Sequence, residues 1–217
     1  MKNLLDMCRF TFKQLRTSQT YTIKKVYKHP KYEYLPPRDV AGDGILMETF
    51  YAYYSDGTVY TPYAEGVTDL LERGFGTLKG KKLILSPYEC FFLKEKGRIS
   101  VVEKKTGRSL SLKELVREYS RKRREIWIKY LVYRDLRERG YIVREASKVD
   151  FEIHGKGAER RLISIVYEGG EANIKELEAL QRYAAEQRKE LVLAVIDRRT
   201  DLVYYSVEEM IFNKSQV

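Results

Sequence analysis

The segment Leu191-Val-Leu-Ala-Val-Ile196 constrains this chain more than any other. It is a short, unbroken apolar run bounded by Lys189-Glu190 and by Asp197, with no polar alternation and too little length for an ordinary helix. A run of this kind fits a central strand covered on both faces, as in a sheet with helices packed against it. Upstream, Leu177, Leu180 and Ala184 give residues 174–187 a single apolar stripe at helical spacing. Downstream, Arg198–Asp201 reads as a turn into a strand over Leu202–Val207. The expectation is a mixed α/β (α+β) fold.

The rest of the chain supports that class. Ile45 to Tyr60 (ILMETFYAYY-SDG-TVY) predicts a β-hairpin, with the Asp56-Gly57 pair supplying the turn. Val67 to Arg73 predicts a short helix ending before Gly74. Ser86-Pro87-Tyr88-Glu89 opens another helix, with Ser as cap, Pro at the first position and Glu three residues after Ser. Ile99–Glu103 predicts a strand. A second capping box, Ser111-Leu-Lys-Glu114, begins a long helical segment that closes at Gly140. Strands are then expected over Tyr141–Val143, Val149–His154 and Arg161–Tyr167. Near the start, Tyr21–Tyr27 has strand character, and Pro30, Pro36 and Pro37 punctuate a loop after it.

Charge bears on function. Lys and Arg number 41 against 31 for Asp and Glu, a formal net charge of +10 that favours a polyanionic partner. Between Arg117 and Arg139 nine basic residues face four acidic ones. The cluster Arg121-Lys122-Arg123-Arg124 reads either as an RNA face or as a solvated linker between two helices. Cys8 and Cys90 are the only cysteines, and His29 and His154 the only histidines. That leaves no disulfide framework and no ordinary zinc spacing. No apolar run approaches a membrane span and the N-terminus lacks a signal-peptide pattern, so the expected location is cytoplasmic.

The stretch Lys129–Val143, KYLVYRDLRERGYIV, resembles the signature that precedes the catalytic sheet of archaeal tRNA-intron (tRNA-splicing) endonucleases. Arg188–Asp197 with Asp201–Tyr205 is similar to the end of that domain, and Leu85–Val101 to the helix-strand unit closing the family's N-terminal domain. The resemblance implies a small α/β N-terminal domain over 51–110 and a restriction-endonuclease-like C-terminal domain with a mixed central sheet over 111–217. Residues 1–50 are then an N-terminal extension. It also implies cleavage of precursor tRNA at a bulge-helix-bulge to a 2′,3′-cyclic phosphate, without metal or other cofactor. A Tyr, a His and a Lys carry that chemistry as base, acid and phosphate-facing cation.

Carried over position by position, Lys189 falls at the family Lys, and Arg182 at an Arg that stacks on a bulged base. His154 stands where the Tyr is expected, three residues after Phe151. Ala158 to Arg161 contains no His for the acid. Each has an ordinary alternative: His154 a strand-end surface residue, Lys189 a cation at a helix C-terminus, Arg182 an exposed helix Arg. A restriction-type metal site through Asp150 is incomplete, because no Lys follows Glu168 at the required spacing.

The loop from Glu168 to Glu171 matches the acidic loop that in the family docks into a basic cleft of a neighbouring subunit. Leu202-Val203-Tyr204-Tyr205, read as an apolar edge strand, is the second expected interface, since the family pairs these strands between subunits. The expectation is a structural subunit, inactive alone, in a heterotetramer with a catalytic endonuclease subunit. The alternatives are a self-sufficient endonuclease using His154 and Lys189, and a non-catalytic RNA-binding protein on the same fold.

Overall fold

The computed structural model describes residues 20–28, 49–63, 67–154, 160–169 and 174–210. In chain order the elements are β1 (Thr20–Lys28), β2 (Phe50–Ser55), β3 (Thr58–Pro62), α1 (Val67–Glu72), β4 (Thr77–Lys79), β5 (Lys82–Leu85), α2 (Pro87–Glu95), β6 (Ile99–Glu103), α3 (Leu112–Ser120), α4 (Ile126–Glu138), β7 (Ile142–Glu145), β8 (Phe151–His154), β9 (Arg161–Tyr167), α5 (Ile174–Glu186), β10 (Glu190–Ile196) and β11 (Leu202–Met210). They fall in two compact units, one within Glu33–Ile142, the other within Met1–Tyr32 and Val143–Val217. The mixed α/β class is as expected. Among the described residues, no helix is long and apolar enough to cross a membrane.

The unit within Glu33–Ile142 is built on a five-stranded sheet of order β4-β5-β3-β2-β6. Its hairpin turns on Asp56 and Gly57 with φ of 52° and 82°, the left-handed pair that matches the twist of two antiparallel strands. β6 returns parallel to β2 after α2. That helix is fixed at its start by the expected box: Glu89 N–H donates to Ser86 Oγ, and Ser86 N–H donates to Glu89 Oε2 at 2.7 Å. Glu89 is buried, and its other oxygen accepts from Gly76 N–H at 2.9 Å, so the carboxylate is satisfied where water is excluded. Phe91 on α2 meets Tyr119 of α3 and Tyr130 of α4 edge to face, with centroids 5.7 and 5.5 Å away.

The long helical segment is two helices. α3 stops at Ser120, residues 121–125 form a turn, and α4 begins at Ile126. Gly140, at φ 88°, closes α4 while Tyr141 N–H donates back to Leu136 O. Tyr141 is thus spent on the helix end, and β7 starts one residue later than the apolar pattern suggests. The strand expected from Val149 begins only at Phe151, because Asp150 Oδ2 takes the Ile165 N–H at 2.7 Å and bends the chain there.

The other unit holds a six-stranded sheet of order β1-β11-β10-β9-β8-β7. β10 runs parallel to β9 and antiparallel to β11, and both of its faces are largely buried, as its unbroken apolar run requires. Leu162, Leu191, Val207, Val149 and Ala184 form a core against which Leu177, Leu180 and Tyr183 of α5 pack. Burying each leucine there contributes roughly 1.5–3 kcal/mol.

One expectation fails. The segment Leu202–Tyr205 is not an edge strand: β1, from the N-terminal extension, pairs antiparallel with β11 from Thr20↔Met210 to Lys28↔Val203. The edge belongs to β1, and its register shifts between Lys25 and Tyr27. A main-chain partner was available within the chain, and sequence patterning carries no information about which strand takes it. β4 was also unforeseen, since all three of its residues are exposed and it has no apolar alternation.

Candidate functional site

The site begins at the end of α5. Arg188 N–H donates to Ala185 O and Lys189 N–H to Ala184 O, which closes the helix in a Schellman turn. The turn needs a left-handed residue, and Arg188 supplies it at φ 53° without being glycine. Chain direction reverses here, and Lys189 leaves the turn one residue ahead of β10.

Strand registry sets what Lys189 meets. β8 pairs with β9 so that Glu152 lies opposite Leu162, and β9 pairs with β10 so that Leu162 lies beside Leu191. Alternation along β10 puts Lys189 on the same side as Leu191, and so on the side of Glu152. The Lys189 ammonium lies 2.8 Å from Glu152 Oε1, with both side chains largely removed from solvent. His154, two residues along β8 and on the same face, brings Nε2 to 3.4 Å from that oxygen. One carboxylate therefore bridges a cation and an imidazole. On the other face of the sheet, Arg161 Nε and Glu190 Oε2 form a separate pair at 2.5 Å.

The fold thus brings together Lys189 and His154, which the sequence had singled out, and adds Glu152, which it had not. The only available sign was that Glu152 and His154 are two apart on a strand and so share a face. A carboxylate 2.8 Å from an ammonium offsets much of the field the cation would present to a phosphate. A carboxylate beside an imidazole can instead hold the ring in one orientation for proton transfer.

The other candidates are placed as follows. Arg182 is exposed on α5. Arg121, Lys122, Arg123 and Arg124 are all exposed in the turn joining α3 and α4, with Arg121 paired to Glu118 at 2.9 Å. They do form the linker between two helices. Glu168 is half-buried after β9, where its N–H donates to Ile196 O at 2.9 Å, while Glu171 lies outside the described residues. Leu202 and Tyr204 are buried and Val203 and Tyr205 half-buried, all within the sheet.

A helix-covered sheet in one unit, a mixed sheet with a parallel central pair in the other, and a Lys at the entry to β10 define a two-domain class of mixed α/β fold. Known proteins agree. The model of the tRNA intron endonuclease N-terminal domain matches residues 50–116, and that of the tRNA intron endonuclease catalytic C-terminal domain matches residues 126–204. The chain belongs to the tRNA intron endonuclease family. A tRNA-splicing endonuclease of Pyrococcus furiosus is 40% identical over 168 residues, spanning 75% of this chain and 98% of that protein. The tRNA-splicing endonuclease of Thermococcus kodakarensis is 35% identical over 163 residues, spanning 72% of this chain and 95% of its own. That of Methanosarcina mazei is 30% identical over 151 residues, spanning 66% of this chain and 42% of its own.

Proposed function

We propose that this chain is a structural subunit of a heteromeric tRNA-splicing endonuclease acting on precursor tRNA, with the cleavage chemistry mainly on a catalytic partner subunit. The observation that carries this reading is the contact of Glu152 Oε1 with Lys189 Nζ at 2.8 Å. Family chemistry wants that cation free for the phosphate, with a Tyr where His154 stands and a His near Ala158. Here the cation is matched by a carboxylate, and neither partner is of the expected type. The loop from Glu168 to Glu171 is the proposed contact with the catalytic subunit, because two carboxylates on a short glycine loop suit a basic cleft. The test is to express the chain alone and with a paralogue that carries the intact Tyr, His and Lys, and to assay bulge-helix-bulge RNA. Cleavage is expected only from the pair, and robust cleavage by the chain alone overturns the reading.

The contact between Glu152 and His154 favours one second reading, a self-sufficient endonuclease in which a carboxylate-oriented imidazole replaces the Tyr. It requires an active homo-oligomer that His154→Ala inactivates.

A further inference from the structure

The five-stranded sheet has two faces of different character. Ala52, Tyr54, Val59, Thr61, Leu83, Leu85, Ile99 and Val101 alternate onto one face, and all of these but Tyr54 are buried. Tyr54 meets Tyr119 of α3 edge to face, so this is the helix-covered side. The opposite face carries Tyr51 and Tyr53 on β2, Tyr60 on β3 and Lys82 on β5, with Lys79 on β4 opposite Lys82. Tyr51 is 66% exposed. Tyr53 and Tyr60 are cross-strand neighbours with ring centroids 5.9 Å apart, and Lys82 Nζ sits 4.5 Å above the Tyr60 ring.

Among the described strand residues, charge on this face is of one sign. Lys79, Lys81 and Lys82 are all exposed around the β4–β5 turn. The only acidic residue in the five strands is Glu103, whose register beside Tyr54 puts it on the helix side, where it accepts from Thr106 Oγ1. A fold gains nothing by leaving a tyrosine two-thirds exposed on the same face as clustered lysines, where the described strand residues include no carboxylate. A ligand with flat rings and phosphates would use both. Alternate residues along a strand stand roughly 7 Å apart, a spacing that lets successive unstacked bases rest on successive rings.

We propose that this face binds unpaired RNA, its bases stacking on Tyr51, Tyr53 and Tyr60 and its phosphates meeting Lys79, Lys81 and Lys82. Aromatic platforms with flanking cations are sequence-tolerant binders of single strands, because every base has a π-face. A duplex hides its bases and is a poor ligand for such a surface. This deepens the reading of the chain as a subunit that handles precursor tRNA, and it assigns the N-terminal sheet a grip on single-stranded segments.

The test uses the full chain and fluorescence anisotropy with a 5′-labelled oligo(U) of about 12 nucleotides and a blunt RNA duplex of the same length, at several salt concentrations. The single strand is expected to bind at least tenfold tighter than the duplex. Tyr51→Ala is expected to weaken single-strand binding about tenfold, from the cost of losing one stacked base, with Tyr51→Phe retaining it. The triple change Lys79→Ala, Lys81→Ala, Lys82→Ala is expected to flatten the salt slope by about 2, from three single-strand phosphate contacts. All the substituted side chains are exposed, and an unchanged melting temperature verifies the fold. Single-strand binding that is unaffected by both Tyr51→Ala and the lysine change overturns the proposal. So does loss of a co-purifying protein subunit in these variants with RNA binding intact, since the face would then be a protein interface. Oligonucleotide binding is read without cleavage, so inactivity toward precursor tRNA leaves this result separate from the subunit assignment.

Discussion

Glu152 Oε1 lies 2.8 Å from Lys189 Nζ, and the same oxygen is 3.4 Å from His154 Nε2. The pairing ties β8 to the residue that enters β10, across the intervening strand β9. It also makes Glu152 the group that decides what Lys189 can do.

Glu152→Gln keeps the shape of the side chain and removes its charge, releasing the ammonium. The expected outcome is tighter precursor-tRNA binding at low salt, with the slope of log affinity against log salt steeper by about 0.9, one duplex phosphate contact. Cleavage by the heteromer is expected to stay unchanged. A loss of cleavage comparable to that of His154→Ala would instead support the self-sufficient reading. Filter binding and a gel-based cleavage assay on one set of variants separate the two.

Arg188 holds a left-handed backbone at φ 53° so that the Schellman turn can form. Arg188→Gly removes the Cβ penalty of that conformation, of order 1–2 kcal/mol, against a loss of unfolded-state restriction of about 0.5–1 kcal/mol. The expected net effect is stabilisation by up to about 1.5 kcal/mol, seen as a higher urea midpoint. Arg188→Val is expected to destabilise, because a β-branched residue fits the turn worse.

Removal of residues 1–48 strips β1 from β11 and leaves the edge of β11 unpaired along its length. Exposed edges recruit other strands. The truncated protein is expected to self-associate more strongly than the full chain in light scattering after size exclusion. An unchanged oligomeric state would show that β1 does not guard this edge.

Glu114 reports on pH. The Ser111 N–H, then the Ser111 hydroxyl and the Arg108 guanidinium, hold its carboxyl down at about 2 from an ordinary 4.5. A carboxyl depressed on folding contributes stability that is complete above its unfolded value and fades as pH falls toward the folded one. The window is therefore pH 4.5 down to 2. Glu114→Gln is expected to be destabilised at pH 6 and to lose less further stability on acidification than the parent, as measured by denaturant midpoints at pH 6 and pH 3.

What the sequence determined by itself was local. The boxes at Ser86 and Ser111, the Asp56-Gly57 turn, the stripe of α5 and the apolar run of β10 were all legible, because each depends on residues a turn or a strand apart. Lys189 and His154 were legible as candidates through a family resemblance. Only the tertiary structure decided that Glu152 stands between them, because strand registry and the end of a helix must both be in place before those side chains meet. It alone decided that Leu202–Tyr205 lies inside the sheet, since pairing of β1 with β11 joins the two ends of the chain through main-chain groups that every residue type shares. The tyrosine face divides in the same way. Alternation foretells that Tyr51 and Tyr53 point together, but Tyr60, Lys82 and Lys79 join them only through the order in which the strands assemble.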